Sequence, residues 1–491
     1  MRNSRCPAHC TRCGDLSRRQ FLVGASAASA ALLGGGRLLA GAAGGPETQP
    51  AAAAGPASKC SPKIKACFVR RKGDYGMRWP GAVYDGKAAR KKYTTLIEQT
   101  ARALNVKLDL RSEPIYSSAE GSAWVAEAVE QKPDGLLVVL LDRQQHAWPT
   151  ANKAIDTKLP TVVFSPVGSS FTTNTARPSQ KANAFICSTD DFREVAYGLR
   201  MLRAAPKLRA TRCLVLRGNR RAEREMAHLG IQLRYVPART FLDEYRKTPE
   251  SKEVLAIADD YIRRARRQKG ATRQDVINGV KSYVVARELL RREQADAITM
   301  DCLGALGRSK VSLPCIAWSR MNDEGIPAAC EADLGAVASH TIVQYLFDRP
   351  GFQQDPVAET AREAIIGAHC TCATRLKGFS QPPEPFDLVH HHGMRDAVPR
   401  TIWRVGQRVT SVDVLPGRGE MPTKMLIGVG EVLENVDVPP AGGCVVSVMV
   451  KFDNAKDVLA WPGFHQVFFY GDHSRHLVAF CRMVGIEPVV V

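Results

Sequence analysis

Hydrophobic and polar positions alternate in two rhythms along this chain. "KIKACFVRR" (63–71), "VKLDLRSEP" (106–114) and the unbroken apolar run "DGLLVVLLD" (134–142) read as strands, and residues 87–104 and "SAWVAEAVEQ" (122–131) between them repeat at helical spacing. That order predicts a parallel α/β sheet, closed by "PTVVFSP" (160–166). The pattern restarts at "AFICSTDD" (184–191) and "RCLVLRG" (212–218). It continues through "IQLRYVP" (231–237), two long helices between 251 and 292, "AITMDC" (297–302) and "CIAWS" (315–319), predicting a second doubly wound unit. From about 364 the strands crowd together: "AIIGAHCTC", "RTIWRVGQRVTSVDV", "KMLIGVGEVL" and "CVVSVMVKF" predict a mostly antiparallel, barrel-like unit. The last stretch, "FHQVFFYGDHSRHLVAFCRMVGIEPVVV", returns to strand, helix and strand.

Composition agrees with several folded units: 491 residues, 45% hydrophobic and 24% charged, suffice for two or three cores. The first segment is set apart. "LSRRQFLVGASAASAALL" joins Arg18 and Arg19 to Phe21, Leu22 and a small-residue apolar run, and it resembles a twin-arginine export signal with small residues, Ala40 and Ala42, suited to cleavage. The alternative, an uncleaved anchor, needs stronger hydrophobicity than this Gly- and Ala-rich run carries, so no stable membrane insertion is expected after processing. The expected partner is the twin-arginine machinery, and the expected location is periplasmic or otherwise outside the cytoplasm. The resulting division is a signal at 1–43, a linker at 44–60, an α/β unit at 61–175, a second at 176–360 carrying Glu331 and Asp355, and a β-rich unit at 361–491 carrying His369 and His465.

Cysteine and charge change this picture little. Of 14 cysteines, Cys6, Cys10 and Cys13 precede the twin arginine, where "CPAHCTRC" resembles a metal-binding fragment that processing would remove. The remaining 11 cannot all pair with one another, and Cys67, Cys213 and Cys315 lie in apolar runs that read as core. The formal charge of +19 invites a nucleic-acid reading, but the positives are interleaved with acids, as in "DDYIRRARRQKG", and no recognition module is present. No nucleic-acid partner is expected. Neither α/β unit carries a G-x-G-x-x-G or Walker loop, so a nucleotide has no support either.

The chemistry-bearing residues fall at junctions. Glu331, in "IPAACEADLGAVASH", opens a helical run; Asp355 follows that run beside Pro356; His369 ends "IIGAH"; His465 opens "HQVFFYGD". Carboxylates and imidazoles delivered from separate loops suit Mn²⁺, Mg²⁺ or a related divalent ion. The plainer readings are a helix-start acid, a turn acid and a strand-end histidine. His390, His391 and His392 form "VHHHG", but successive strand residues face opposite ways, so they read as substrate-side or surface residues.

The blocks "DCLG" with "PCIAWSRMNDEGIPAACEADLGAVASHTIVQYLFDRPGF", "GAHCTC" and "HQVFFYGDHSRHLVAFCRMVGIEPV" resemble the L-fucose isomerase and L-arabinose isomerase superfamily. The resemblance implies an aldose–ketose isomerase in which Glu331, Asp355 and His465 hold a divalent metal, usually Mn²⁺. It implies that Glu331 and Asp355 share the proton transfers and that His369 lies beside the metal on the substrate side. It also implies a closed homo-oligomer, trimeric or hexameric, in which a neighbouring subunit completes the crevice. Two features depart from it: the export signal and the two thiols of "HCTC". An exported carbohydrate-binding protein without turnover, and a metal-dependent enzyme on another polyhydroxylated substrate, stay open beside the isomerase.

Overall fold

The computed structural model describes residues 53–73, 85–143, 146–309, 311–391, 394–437 and 444–491. The twin-arginine segment, with Cys6, Cys10 and Cys13, and His392 lie outside the described residues.

Three β structures organise the chain. The first is a parallel sheet in the order Lys107–Leu110, Lys63–Val69, Gly135–Leu140, Thr161–Ser165 and Ala184–Ser188. Its middle strand is buried at every position, the pattern of a strand covered by helices on both faces. The second has the order Ala328–Cys330, Ala297–Met300, Arg212–Leu216, Ile231–Val236 and Ala222–Met226, parallel except for the last pair. The third is a closed antiparallel barrel of six strands: Arg408–Leu415, Gln466–Tyr470, Phe352–Glu359, Ala364–His369, Val446–Phe452 and Lys424–Asn435, which pairs back with the first. Glu487–Val490 adds in parallel to Lys424–Asn435. This is the α/β and barrel-like architecture that the sequence predicts.

Three local expectations change. "AFICS" forms the fifth strand of the first sheet and does not open the second. "CIAWS" lies in the helix Cys315–Asp323, buried at all but two positions; an apolar run buried all round has no periodicity to separate helix from strand. Asp355, expected on a loop of the second α/β unit, stands on the barrel strand Phe352–Glu359, because Gln353 and Gln354 pair with Val467 and Gln466 and carry the ladder past it. A hairpin of Phe386–His391 and Arg395–Thr401 joins Gln268–Lys269 in a small separate sheet.

One helix locks the second sheet to the barrel. Leu334–Phe347 is buried at every position after the first and packs against the helix Phe192–Ala210 and the strand Arg408–Leu415. Ser339 Oγ donates to the Gly335 carbonyl at 2.9 Å and accepts the Val414 N–H at 2.9 Å. At Gly335 the helix comes so close that a Cβ would overlap the Val414 carbonyl oxygen. Gly335→Ala is therefore expected to cost about 1–3 kcal/mol through overpacking, read as a lower Tm by calorimetry. An unchanged Tm would contradict this docking.

Candidate metal centre

The sequence reading placed four residues at junctions, and the structure brings all four to one seam. Asp355, His369 and His465 come from neighbouring barrel strands: Asp355 pairs with Ala368, next to His369, and Gln354 pairs with Gln466, next to His465. Glu331 arrives from the second sheet, directly after its edge strand Ala328–Cys330. The two bodies are stitched here, since the Cys330 N–H donates to Oε1 of Gln353 on the Asp355 strand at 2.8 Å.

The turn after Cys330 is tight. Glu331 and Ala332 both have left-handed backbones (φ 63° and 54°), and so does His465 (φ 51°). Each such non-glycine conformation costs on the order of 1–3 kcal/mol and persists only where its surroundings over-determine it. The Ala332 N–H donates to the Met300 carbonyl at 2.8 Å, and Asp333 then caps the helix by accepting the Ala336 N–H at 2.7 Å. The loop before His465 is held by Asp413, whose Oδ2 accepts the Phe464 N–H at 3.1 Å.

Distances define the centre. His465 Nε2 lies 3.3 Å from Asp355 Oδ1 and 3.5 Å from Glu331 Oε2, while His369 Nε2 lies 3.8 Å from Glu331 Oε1. On its other side His465 Nδ1 stands 3.0 Å from Asp333 Oδ2. A carboxylate only accepts, so Nδ1 carries the hydrogen; in the neutral ring the lone pair is then on Nε2 and faces two carboxylates. Neither Nε2 of His465 nor Oδ1 of Asp355 is exposed to solvent or hydrogen-bonded. Such a cluster can be satisfied by a proton on His465 or by a bound cation.

Proton affinities follow that crowding. Burial pushes Asp355 up, reinforced by the Glu331 charge and only partly offset by His465. Burial alone would lower His465, but the Asp333 hydrogen bond and the charges of Asp333, Asp355 and Glu331 outweigh it and hold the imidazole above its ordinary range. Asp333 shows the reciprocal effect: burial raises it, and the bonds from His465 and Ala336 leave it below the usual carboxylate range. Asp413 is pushed up to about 7, chiefly by burial.

Among the described residues, Glu331, His369 and His465 bring one ligand atom each within 4.8 Å of one another, a group able to hold a metal ion; Asp355 borders it through His465. Glu331, Asp333 and Asp413 also line a cavity of about 590 Å³ together with Arg217, Arg224 and Arg418. Of the remaining histidines, His390 pairs with Asp275 at 3.4 Å, away from the centre, while His391 lines a small void behind His369. Sequence reasoning missed Asp333 and Asp413. Asp333 carries a signal, an Asp directly before an apolar helical run, which is a better cap than Glu331 because its shorter side chain reaches the N3 amide. Asp413 is a lone acid at a buried position of a strand, and only the fold shows what it holds.

No family model matches the chain. It is 28% identical over 189 residues to the sulfoquinovose isomerase of Clostridium sp. (strain MSTE9), a stretch that covers 36% of this chain and 40% of that protein. The chain thus matches less than half the length of this relative. Among solved structures, a mutant XylFII–LytSN complex covers 49% of this chain and 78% of its own at 13% identity and TM-score 0.16. A sugar-binding protein of a sugar ABC transporter from Bacillus halodurans covers 61% and 91% at 16% identity and TM-score 0.17. At these scores neither structure informs function.

Because Asp333 and the neighbouring acids hold the proton of His465 above the ordinary range, a cation binding there has to displace that proton, and its affinity should fall as pH is lowered. Titration calorimetry with Mn²⁺ is expected to show a loss of about tenfold per pH unit once His465 is protonated. Asp333→Asn keeps an oxygen cap but removes the charge behind His465, and should weaken Mn²⁺ by about 10–100-fold. Affinity independent of pH, or unaltered in Asp333→Asn, would contradict this geometry.

Proposed function

We propose that the protein is a metal-dependent aldose–ketose isomerase working through an enediol. The observation that carries the reading is the pair of carboxylates, Glu331 and Asp355, placed 3.5 and 3.3 Å from one imidazole nitrogen. The 28% identity to a sulfoquinovose isomerase supports the same class of chemistry. A divalent ion held by Glu331, His369 and His465, with Asp355 completing the set, would supply Lewis-acid stabilisation to the two oxygens that exchange carbonyl and hydroxyl character. Mn²⁺ is the ion we propose, with Mg²⁺ the alternative; the mixed oxygen and imidazole donor set accommodates either.

The chain's own residues then move the protons. One of the two carboxylates accepts the C2 proton and returns it to C1, while the other exchanges a proton with the substrate oxygens. His369 closes the sugar-facing side. Asp333 orients His465, and Asp413 holds the loop that carries it. Replacing either acid with its amide preserves shape but removes the base, so Glu331→Gln and Asp355→Asn are expected to reduce ketose formation by at least about 100-fold. The assay is aldose conversion and C2-hydrogen exchange with D₂O at matched metal occupancy. Unchanged rates would refute these roles, and sugar binding without turnover in the unmodified protein would point instead to an exported carbohydrate-binding protein.

The cavity beside the centre narrows the substrate class. Arg217, Arg224 and Arg418 are exposed, whereas Asp413 is buried and Glu331 and Asp333 are half-buried. Cations therefore stand on the solvent side and acids toward the metal. The one exposed acid of the cavity wall, Glu225, accepts a hydrogen bond from Gln232 at 2.9 Å. We infer a sugar with an anionic group at the end remote from C1. Charge-assisted bonds contribute about 1.5–3 kcal/mol each, so Arg217→Ala or Arg418→Ala should raise KM for an anionic aldose about tenfold or more and leave that for a neutral one unchanged. Equal effects on both would refute the inference.

Assembly and location belong to the same proposal. Phe464, next to His465 on the cavity wall, is 59% exposed, and cover from a neighbouring subunit in a trimer or hexamer would bury it. Sedimentation should find that oligomer, and a fully active monomer would contradict it. Export by the twin-arginine route is checked by fractionating cells that express the full chain; retention in the cytoplasm would oppose it.

A further inference from the structure

Against Glu331 and His369, a void of about 30 Å³ is lined by Cys302, Cys315, Cys330, Cys370 and Cys444. Isomerisation uses none of these thiols, yet they are not scattered. Cys370 and Cys444 share this void at the ends of two paired strands, and Cys302 and Cys330 share it from the second sheet and the helix after it. The barrel register explains the first pair: His369 pairs with Val446 across antiparallel strands, so the residues leaving those strand ends meet. Access separates the two pairs. Cys302, Cys330 and Cys370 are buried, with 6%, 4% and 3% exposure, and Cys444 is half-buried. Cys444 is thus the one thiol of the nest that a reagent from solvent can reach.

We propose that Cys370 and Cys444 form a reversible disulfide that disables the neighbouring metal centre. The oxidant is a small-molecule disulfide. The Cys444 thiolate attacks one of its sulfurs and releases one thiol; the Cys370 thiolate then attacks the Cys444 sulfur of the mixed disulfide and releases the second. Two protein thiols are oxidised, one small disulfide is reduced to two thiols, and the protons of Cys370 and Cys444 end on the released thiols. Bond formation brings the two sulfurs to covalent distance and draws Cys370 toward Cys444. His369 is peptide-bonded to Cys370, and its Nε2 stands 3.8 Å from Glu331 Oε1. Displacing it opens the ligand group. The buried Cys302–Cys330 pair stays reduced under the same treatment and serves as an internal control.

Formation of the bond is independent of the metal reading, whereas its effect on the centre rests on that reading. The test treats the full-length protein with oxidised glutathione or dithiothreitol, maps non-reduced peptides, and measures Mn²⁺ affinity by calorimetry. A Cys370–Cys444 cross-linked peptide is expected, with Mn²⁺ affinity at least tenfold lower, restored by dithiothreitol, and unaffected by the oxidant in Cys444→Ser. A glutathione adduct left on Cys444, or a cross-link between Cys302 and Cys330 in its place, overturns the disulfide. A Cys370–Cys444 cross-link with unchanged Mn²⁺ affinity overturns the switch. Absence of Mn²⁺ binding in the reduced protein overturns the metal reading and with it the switch, while the peptide map still decides the disulfide.

Discussion

The hydrogen bond between His465 Nδ1 and Asp333 sets the character of the whole centre. It commits one ring nitrogen to donation, so in the neutral ring the other presents a lone pair to Glu331 and Asp355 in a place that water does not reach. Removed from that context, each acid has an ordinary explanation. Together they form a cluster of half-buried acceptors around one imidazole, suited to a proton or a metal cation. The same acids hold the proton of His465 above its ordinary range.

Holding acceptors together against their mutual repulsion needs rigid supports on every side, and the fold supplies them from two bodies. Three adjacent barrel strands fix Asp355 and His369 in one ladder and His465 at the start of its third strand. The edge of the second α/β sheet brings in Glu331 on a backbone that an L-residue adopts unwillingly. That strain survives because the neighbouring groups are all engaged: Cys330 with Gln353, Ala332 with Met300, Asp333 with the helix it caps. The close docking of that helix at Gly335 ties the turn to the barrel strand that carries Asp413. Loss of packing at the seam therefore reaches the centre without touching any ligand.

The parts of this arrangement legible in the sequence are those written locally. Continuous apolar runs and helical spacing mark most strands and helices of both α/β units, and the close-set strands after residue 364 mark the barrel. Glu331, His369 and His465 stand out because each meets an apolar run at an element boundary, and Asp355 because it is an isolated acid beside Pro356. What sequence could not show is long-range pairing. That Asp355 belongs to the barrel depends on Gln353 and Gln354 meeting Val467 and Gln466, more than a hundred residues away. The same holds for Cys370, visible in the sequence only as one of the two thiols of "HCTC", and its neighbour Cys444, which the barrel brings together, and for Asp413, whose partner is a loop backbone. The helix Cys315–Asp323 shows the opposite limit: burial on every face erases the periodicity that would have identified it.

The central claim is that one divalent cation belongs at the seam between the second sheet and the barrel. Diffraction from crystals grown with Mn²⁺, collected to use the anomalous signal of manganese, tests it most directly. The account predicts a single strong anomalous peak at bonding distance from Glu331, His369 and His465, with Asp355 as the nearest remaining carboxylate and Asp333 still hydrogen-bonded to the far side of His465. A fully loaded crystal with its peak elsewhere, or with no peak among these four side chains, would contradict it.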